Sequence, residues 1–209
     1  HASAIEACLH QNAPLLLGRD ASEIELLTSL LEPYLGARGT GVEKRVQSAI
    51  NIALWDLAGK RVGLPVHALL GGKVRDKIRV YNTCAGYTYM RKAAPQASFN
   101  WGLGSSGGPY EDLDAFLTRA DELAHSLLDM GISAMKIWPF DRAAEGTGGL
   151  SISRESLAEA LEPLQRIRNS VGQRMDIMVE FPGLWSLPAA KKIAHSLEEF
   201  DTFWHEDPV

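Results

Sequence analysis

The sequence predicts an α/β fold in which parallel strands alternate with helices, preceded by a helical segment. Two observations support this prediction. In residues 20–61 apolar side chains recur at helical spacing, whereas from Lys77 onward strand-like runs begin near residues 78, 132, 176 and 202 and alternate with helical ones. Alternation of this kind is typical of a parallel sheet or barrel. Four such units are half of an eight-stranded barrel, and a doubly wound sheet is the alternative because periodicity does not separate the two folds.

The helical segment contains two amphipathic helices. Residues 20–35 place leucines and Ile24 near 3.6 spacing, with Ser22 as the candidate N-cap. Residues 42–61 repeat the pattern, and Gly63 with Pro65 ends it. We place the boundary between this segment, residues 1–76, and the strand-containing part, residues 77–209.

The second part reads as an ordered series of strands and helices. Gly131 marks the end of its first helix, and Ser153 is the expected N-cap of its second. In chain order the predicted elements are the strand KIRVYNT, the helix EDLDAFLTRADELAHSLLDMG, the strand ISAMKIW, the helix RESLAEALEPLQRIRNSVG, the strand DIMVEF, the helix LPAAKKIAHSLEEF and the strand TFWHEDPV.

Composition excludes several classes of protein. The 209 residues carry a formal charge of −5 and 45% hydrophobic residues, which are globular values. Mild acidity provides no basic field, so we expect neither nucleic acid nor an anionic membrane as a partner. No run approaches the length of a membrane span, and the two cysteines lack metal or disulfide spacing, which favours a reducing cytoplasm. The absent initiator Met and the abrupt end at HEDPV suggest a fragment.

Strand alternation predicts which side chains face the inside of a barrel. In ISAMKIW, Lys136 and Trp138 share the inward face, while Met135 and Ile137 face the covering helices. Both inward residues lie near the C-terminal end of the strand, where barrel enzymes place their catalytic groups.

The next two strands each end in a carboxylate at the same rim. Glu180 is the last inward residue of DIMVEF, and Glu206 is the last one of TFWHEDPV. An inward carboxylate needs a partner because desolvating its charge is costly. Two alternatives remain open: an ion pair between Lys136 and Glu180 with Glu206 solvated, or a divalent cation such as Mg²⁺ bound by both carboxylates.

Four motifs resemble the mandelate racemase/muconate lactonizing enzyme branch of the enolase superfamily. SAINIALWDLAGKRVGLPVHALLGG resembles that branch's AxDxALWDLxGKxxGxPVxxLLGG stretch, and GISAMKIW, DIMVE and WHEDP resemble its second, third and fourth barrel strands in the family's order. The resemblance implies a (β/α)₇β barrel, of which four strands are visible, and the mainly helical portion of an α+β capping domain. It also implies Mg²⁺ held by Glu180 and Glu206, a third carboxylate outside this sequence, and Lys136 as the catalytic residue that stabilises an enediolate.

Departures from the family pattern favour one reaction type over the others found in the family. The second Lys of the family's KxK motif, the base of the racemases, is Trp138 here, and indole cannot accept a proton at working pH. Trp138 is therefore expected to bind substrate, and the family places its alternative His base beyond Val209. The resulting hypothesis is a lyase that dehydrates a sugar acid, with a racemase or epimerase and a non-catalytic carboxylate-binding homologue as alternatives. The family also implies a homo-oligomer.

Other motifs point to further hypotheses about a loop, a histidine and a cysteine. GLGSSG at 102–107 matches a dinucleotide-binding pattern but lacks the preceding strand, so we interpret it as a loop. Tyr87, Tyr89 and Trp101 of that loop are candidates for covering a substrate, with an ordinary solvated loop as the equal alternative. His205 is expected to pack under a helix, and Cys84 is expected to be an inert thiol.

Overall fold

A computed structural model describes residues 2–32, 41–86 and 111–209 of the chain. It divides into two compact units, His1–Ile78 and Arg79–Val209, with a boundary two residues from the one placed by sequence. The predicted loop, with Tyr87, Tyr89, Trp101 and the GLGSSG segment, lies outside the described residues. None of the helices in the described ranges is both long and apolar enough to cross a membrane.

The first unit is helical. Its helices are α1 (Ala2–Asn12), α2 (Ile24–Leu30), α3 (Gly41–Val62) and the short α4 (Val66–Leu69). The predicted cap at Ser22 is wrong: the Ser22 backbone N–H donates to the Asp20 side chain at 2.9 Å, and α2 begins two residues later without a side-chain cap. Gln47, which is buried, connects α3 to α2 through a 3.0 Å hydrogen bond from its Nε2 to the Thr28 carbonyl.

Residues 111–131 form two helices instead of the single one predicted. They are α5 (Asp112–Thr118) and α6 (Ala120–Asp129), separated by Arg119 with φ −151° and ψ 51°. The break exposes the Thr118 carbonyl, which accepts a 2.6 Å hydrogen bond from Arg166 of the later helix α8 (Arg154–Val171). A tertiary contact therefore compensates for the interrupted helix, and apolar periodicity alone does not report it.

The remaining helices surround the strands in sequence order. A short helix that sequence did not predict, α7 (Asp141–Thr147), follows the first strand. The predicted cap of α8 is confirmed, because Ser153 Oγ accepts a 3.0 Å hydrogen bond from the Ser156 N–H. The last helix is α9 (Leu187–Leu197), followed by a 3₁₀ turn at Glu198–Phe200.

Within the described residues the sheet has three parallel strands in the order β1-β2-β3. They are β1 (Ala134–Ile137), β2 (Asp176–Glu180) and β3 (Trp204–Glu206). Lys136 lies opposite Met178, and Glu180 lies opposite Glu206. Successive parallel strands joined by helices are the arrangement that the alternating pattern predicted.

The predicted strand KIRVYNT is reduced to a single parallel bridge between Asn82 and Met135. The Asn82 N–H donates to the Ala134 carbonyl at 3.0 Å, and the Lys136 N–H donates to the Asn82 carbonyl at 2.7 Å. Ile78 is 81% exposed, whereas Arg79 pairs with Asp176 of β2 at 2.6 Å and Tyr81 packs edge-on against Trp204 of β3. The segment runs beside β1 without forming the continuous ladder that a strand requires.

The helix-facing side of the sheet forms the core, as alternation predicted. Met135, Ile137, Ile177 and Val179 are fully buried among residues of the surrounding helices. Burying such side chains stabilises the fold by about 1.5–3 kcal/mol each. The opposite face carries the charged residues Lys136, Glu180 and Glu206, together with the buried Ala134 and Met178.

Candidate active site

Three charged side chains meet on the polar face of the sheet. Lys136 of β1 places Nζ 2.6 Å from Oε2 of Glu180 on β2 and 2.9 Å from Oε1 of Glu206 on β3. Both carboxylates lie at the C-terminal ends of their strands, and the strand register sets them side by side. The ammonium group thus bridges both carboxylates, whereas the ion-pair alternative paired it with Glu180 alone.

Two aromatic side chains border this cluster. Trp204 donates a 3.1 Å hydrogen bond from Nε1 to the second oxygen of Glu206, so both oxygens of that carboxylate have partners. The Tyr81 ring centroid lies 5.8 Å from the Lys136 ammonium and packs edge-on against Trp204 at 5.3 Å. The hydrogen bond and the ring contacts restrict the orientations open to Lys136 and Glu206.

The three charged groups have different protonation preferences. Burial alone would lower the pKa of Lys136, but its hydrogen bonds to Glu180 and Glu206 outweigh that effect and raise the pKa above its ordinary value. Burial raises the pKa of Glu180 despite the opposing effect of Lys136. The hydrogen bond from Lys136 lowers the pKa of Glu206, which is the more exposed carboxylate. Lys136 is therefore held as a cation at neutral pH.

Asp141 adds a carboxyl group that sequence reasoning missed. It begins α7, shortly after the end of β1, and is only 4% exposed. Its Oδ1 atom has no hydrogen-bond partner among the described residues. Burial, with repulsion from Glu180 and Glu145, raises the pKa of Asp141 to about 7. No motif marks this residue; its position after a strand bearing an inward Lys was the one available signal.

Trp138 lies just past the last residue of β1 and is 7% exposed. Its ring packs against Phe116 of α5, with a centroid distance of 6.3 Å. Because Trp138 is beyond the paired part of the strand, alternation no longer fixes its direction. Its role in substrate binding remains a prediction.

The other candidates fall outside the charged cluster. His205 shares a 2.8 Å hydrogen bond with Thr202 and packs edge-on against Phe181, and burial lowers its pKa. Cys84 is fully buried, and that burial raises the pKa of its thiol, which fits the inert thiol that was expected.

The donor set is compatible with a magnesium ion. Glu180 and Glu206 present carboxylate oxygens side by side, although the described residues contain no group of three or more His, Cys, Asp or Glu side chains arranged for a metal. Mg²⁺ is commonly bound through one or two carboxylates, with water and substrate oxygens completing its shell. The two glutamates can therefore provide the protein's share of such a site within this part of the chain.

Family models cover most of the chain. Residues 1–71 match the mandelate racemase/muconate lactonizing enzyme N-terminal domain, and residues 119–209 match the enolase C-terminal domain-like family. The first region contains the helices of the first unit, and the second contains all three residues of the charged cluster.

Curated relatives are named as sugar-acid dehydratases. A D-gluconate dehydratase from Thermoproteus tenax is 30% identical over 208 residues, covering 98% of this chain and 35% of the relative. A D-galactonate dehydratase from Variovorax paradoxus is 26% identical over 208 residues, covering 100% of this chain and 46% of the relative. The chain thus spans between about a third and a half of the length of these relatives.

Solved structures agree with the family models. A mandelate racemase subgroup enolase from Agrobacterium tumefaciens is 45% identical, with a TM-score of 0.80, over 100% of this chain and 48% of that protein. An enolase from Sargasso Sea environmental sequencing is 42% identical, with a TM-score of 0.80 and the same coverage. The chain belongs to the mandelate racemase/muconate lactonizing enzyme branch of the enolase superfamily.

Proposed function

We propose that the whole protein is a Mg²⁺-dependent lyase that removes water from a sugar acid. The observation that supports this most directly is the contact of Lys136 with both Glu180 and Glu206 at one strand-end rim. The dehydratase names of several relatives point to the same reaction. The proposal includes a (β/α)₇β barrel, completed by strands beyond this chain, and assembly as a homo-oligomer.

The proposed reaction removes the proton α to the substrate carboxylate and then expels the β-hydroxyl as water, leaving an enol that tautomerises to a 2-keto-3-deoxy acid. Negative charge develops on the carboxylate oxygens during the first step. A bound Mg²⁺ would act as a Lewis acid toward these oxygens. Glu180 and Glu206 would hold the ion, and the Lys136 ammonium would donate hydrogen bonds to the same charge.

Trp138 favours dehydration over racemisation. Racemisation generally requires a proton acceptor and a proton donor on opposite faces of the substrate carbon, and Trp138 occupies the position of one racemase base. An indole has only an N–H donor and cannot accept the proton. In the family pattern the remaining base lies on strands beyond residue 209, so we assign no base within this chain.

The test uses the full-length protein with Mg²⁺ and a panel that contains D-gluconate, D-galactonate and D-xylonate. We expect a 2-keto-3-deoxy product from at least one sugar acid, detected with semicarbazide, and no product from the Glu206→Gln variant. Exchange of the α-proton with D₂O is followed by NMR on the same samples. Inversion of the α-carbon without a keto product would establish a racemase. Binding without exchange or product would establish a non-catalytic homologue.

A further inference from the structure

Asp141 combines deep burial with an unfilled capacity for hydrogen bonding. The residue is 4% exposed, and its Oδ1 atom has no hydrogen-bond partner in the described part of the chain. Enclosing a carboxyl oxygen without a hydrogen bond is unfavourable, and such atoms are rare in folded proteins. A buried residue whose carboxyl oxygen lacks a hydrogen bond, and which lies beside charged site residues, is a candidate for contact with a ligand.

The structure holds Asp141 at the rim that carries Lys136 and Glu180. Asp141 follows β1, and the preceding residue, Phe140, stacks on Phe181 with a centroid distance of 5.5 Å and an interplanar angle of 7°. Phe181 in turn directly follows Glu180. The stacked rings therefore fix the end of β1 against the end of β2. Glu180 also acts electrostatically on the Asp141 carboxyl group, as expected for two acids at one rim.

The chemistry of a carboxyl group selects among possible ligand groups. A substrate carboxylate would be repelled by Asp141 when both are ionised, and it has a better partner in the Lys136 ammonium. A neutral hydroxyl can donate to a carboxyl oxygen and satisfy it without adding charge. Sugar acids carry a series of hydroxyls next to their carboxylate, so a carboxyl group beside the Lys136 cluster is suited to meet one of them.

We propose that Asp141 is a substrate-binding residue that accepts a hydrogen bond from one hydroxyl of a polyhydroxy carboxylate whose carboxylate lies at Lys136. The proposal rests on the proposed function and deepens it, because it assigns recognition of the polyol chain to the segment after β1. A site with a buried acceptor discriminates against ligands that lack the matching hydroxyl, since the acceptor is then left unpaired.

The test measures an interaction between one side chain and one hydroxyl. The full-length enzyme, with Mg²⁺, is assayed with the acid it turns over fastest among D-gluconate, D-galactonate and D-xylonate, and with the monodeoxy analogue at each hydroxyl beyond the leaving one. Asp141→Ala is expected to lower kcat/KM for the parent acid by roughly 10- to 100-fold, the value of a hydrogen bond to a charged group. For one analogue, the one lacking the hydroxyl that Asp141 binds, wild type and variant are expected to have equal kcat/KM.

Controls separate this role from a structural one. Glu159→Gln changes an exposed acid on α8 and is expected to alter neither activity nor selectivity. Asp141→Ala is expected to melt at the same temperature as wild type or higher, because it removes a buried carboxyl group. Its Mg²⁺ affinity, measured by calorimetry, is expected to stay within about twofold of wild type, because the proposal gives Asp141 no metal contact.

Several outcomes would overturn the proposal. One is that Asp141→Ala loses kcat/KM equally on the parent acid and on every analogue. The others are that the variant loses no kcat/KM on any substrate, or that it no longer binds Mg²⁺. If the wild-type enzyme dehydrates none of the acids, the proposed function fails by itself. Wild type and Asp141→Ala are then compared by equilibrium binding of D-gluconate, and equal affinity, or the absence of binding to both, would refute the role of Asp141 separately.

Discussion

Replacing Lys136 by Met tests how one ammonium group serves two carboxylates. The substitution keeps a long apolar stem in a side chain that is only 11% exposed and removes the charge between Glu180 and Glu206. We expect two opposite effects in the full-length enzyme: slower turnover and tighter Mg²⁺ binding. An ion pair with a purely structural role would not produce slower turnover together with tighter Mg²⁺ binding.

The geometry sets the size of each effect. Nζ lies 2.6 Å from Oε2 of Glu180, and Mg²⁺ binds carboxylate oxygens at about 2.0–2.1 Å, so an ion on that same oxygen would lie within about 5 Å of the ammonium. A unit charge at about 5 Å opposes a doubly charged ion by about 2 kcal/mol at the dielectric constant of water and by about 7 kcal/mol at an effective value of about 20, which is roughly 20-fold or more in affinity. Loss of one donor to the charge developing on the substrate would cost about 2.7–4 kcal/mol, or roughly 100- to 1,000-fold in kcat.

Isothermal titration with Mg²⁺ measures the first effect, and initial rates at saturating Mg²⁺ measure the second. Lys191→Met removes an exposed lysine from α9 and is the matched control, expected to match wild type in both assays. Weaker Mg²⁺ binding by Lys136→Met would show that the ammonium does not compete with the ion. Unchanged kcat would remove Lys136 from the reaction.

Three further predictions concern neighbouring parts of the structure. Trp138→Phe removes no base, so it should change KM or substrate preference while kcat of a good substrate, from steady-state assays, stays within about tenfold. Arg168→Ala removes donors that contact four backbone carbonyls at 2.7–3.1 Å and should lower the free energy of unfolding in urea by about 3 kcal/mol. Asp141→Asn should stabilise the metal-free protein increasingly as pH rises from about 4 to 7, by up to about 4 kcal/mol in urea titrations. The sign follows because the folded wild type, with its raised pKa of about 7, still holds a proton that the unfolded chain has released.

Each of these predictions has a contradicting result. Loss of the chemical step in Trp138→Phe while substrate still binds would make the indole part of the reaction. An unchanged urea midpoint in Arg168→Ala, equal to that of the exposed control Arg154→Ala, would show that water replaces the hydrogen bonds of Arg168 without lowering the free energy of unfolding. A stability difference between wild type and Asp141→Asn that is constant across pH would show that Asp141 does not titrate differently in the folded protein.

The charged cluster could be predicted from the sequence because side chains along a strand repeat strictly every two residues. Side chains alternate along each strand, and parallel neighbours in register bring equivalent positions together. Those two rules place Lys136, Glu180 and Glu206 on one face, and the observed contacts of 2.6 and 2.9 Å follow from them. The rules do not state that the ammonium bridges both acids, because that depends on the direction of a flexible side chain.

Errors arose where tertiary contacts, not local periodicity, decide the structure. The apolar pattern of residues 111–131 continues through Arg119, yet the helix breaks there, and Arg166 from another helix binds the freed carbonyl. Similarly, KIRVYNT has the composition of a strand, but only Asn82 forms a bridge to β1. A strand depends on its neighbours for its hydrogen bonds, so composition alone does not determine where the ladder extends.

The position of the Asp141 side chain could not be predicted from strand alternation, because the residue lies beyond the end of β1. Alternation applies up to Ile137, the last paired residue of β1, and the following PFD segment is turn-like in sequence. The residue before Asp141, Phe140, stacks on Phe181, a contact between residues 41 positions apart that no local pattern encodes. Strand geometry thus makes the charged part of the candidate site readable from sequence, whereas Asp141, the group proposed to select the substrate, lies in the segment after β1, where alternation does not apply. Differences in substrate preference between this chain and its dehydratase relatives should therefore map to the segments after the strands more than to the strands themselves.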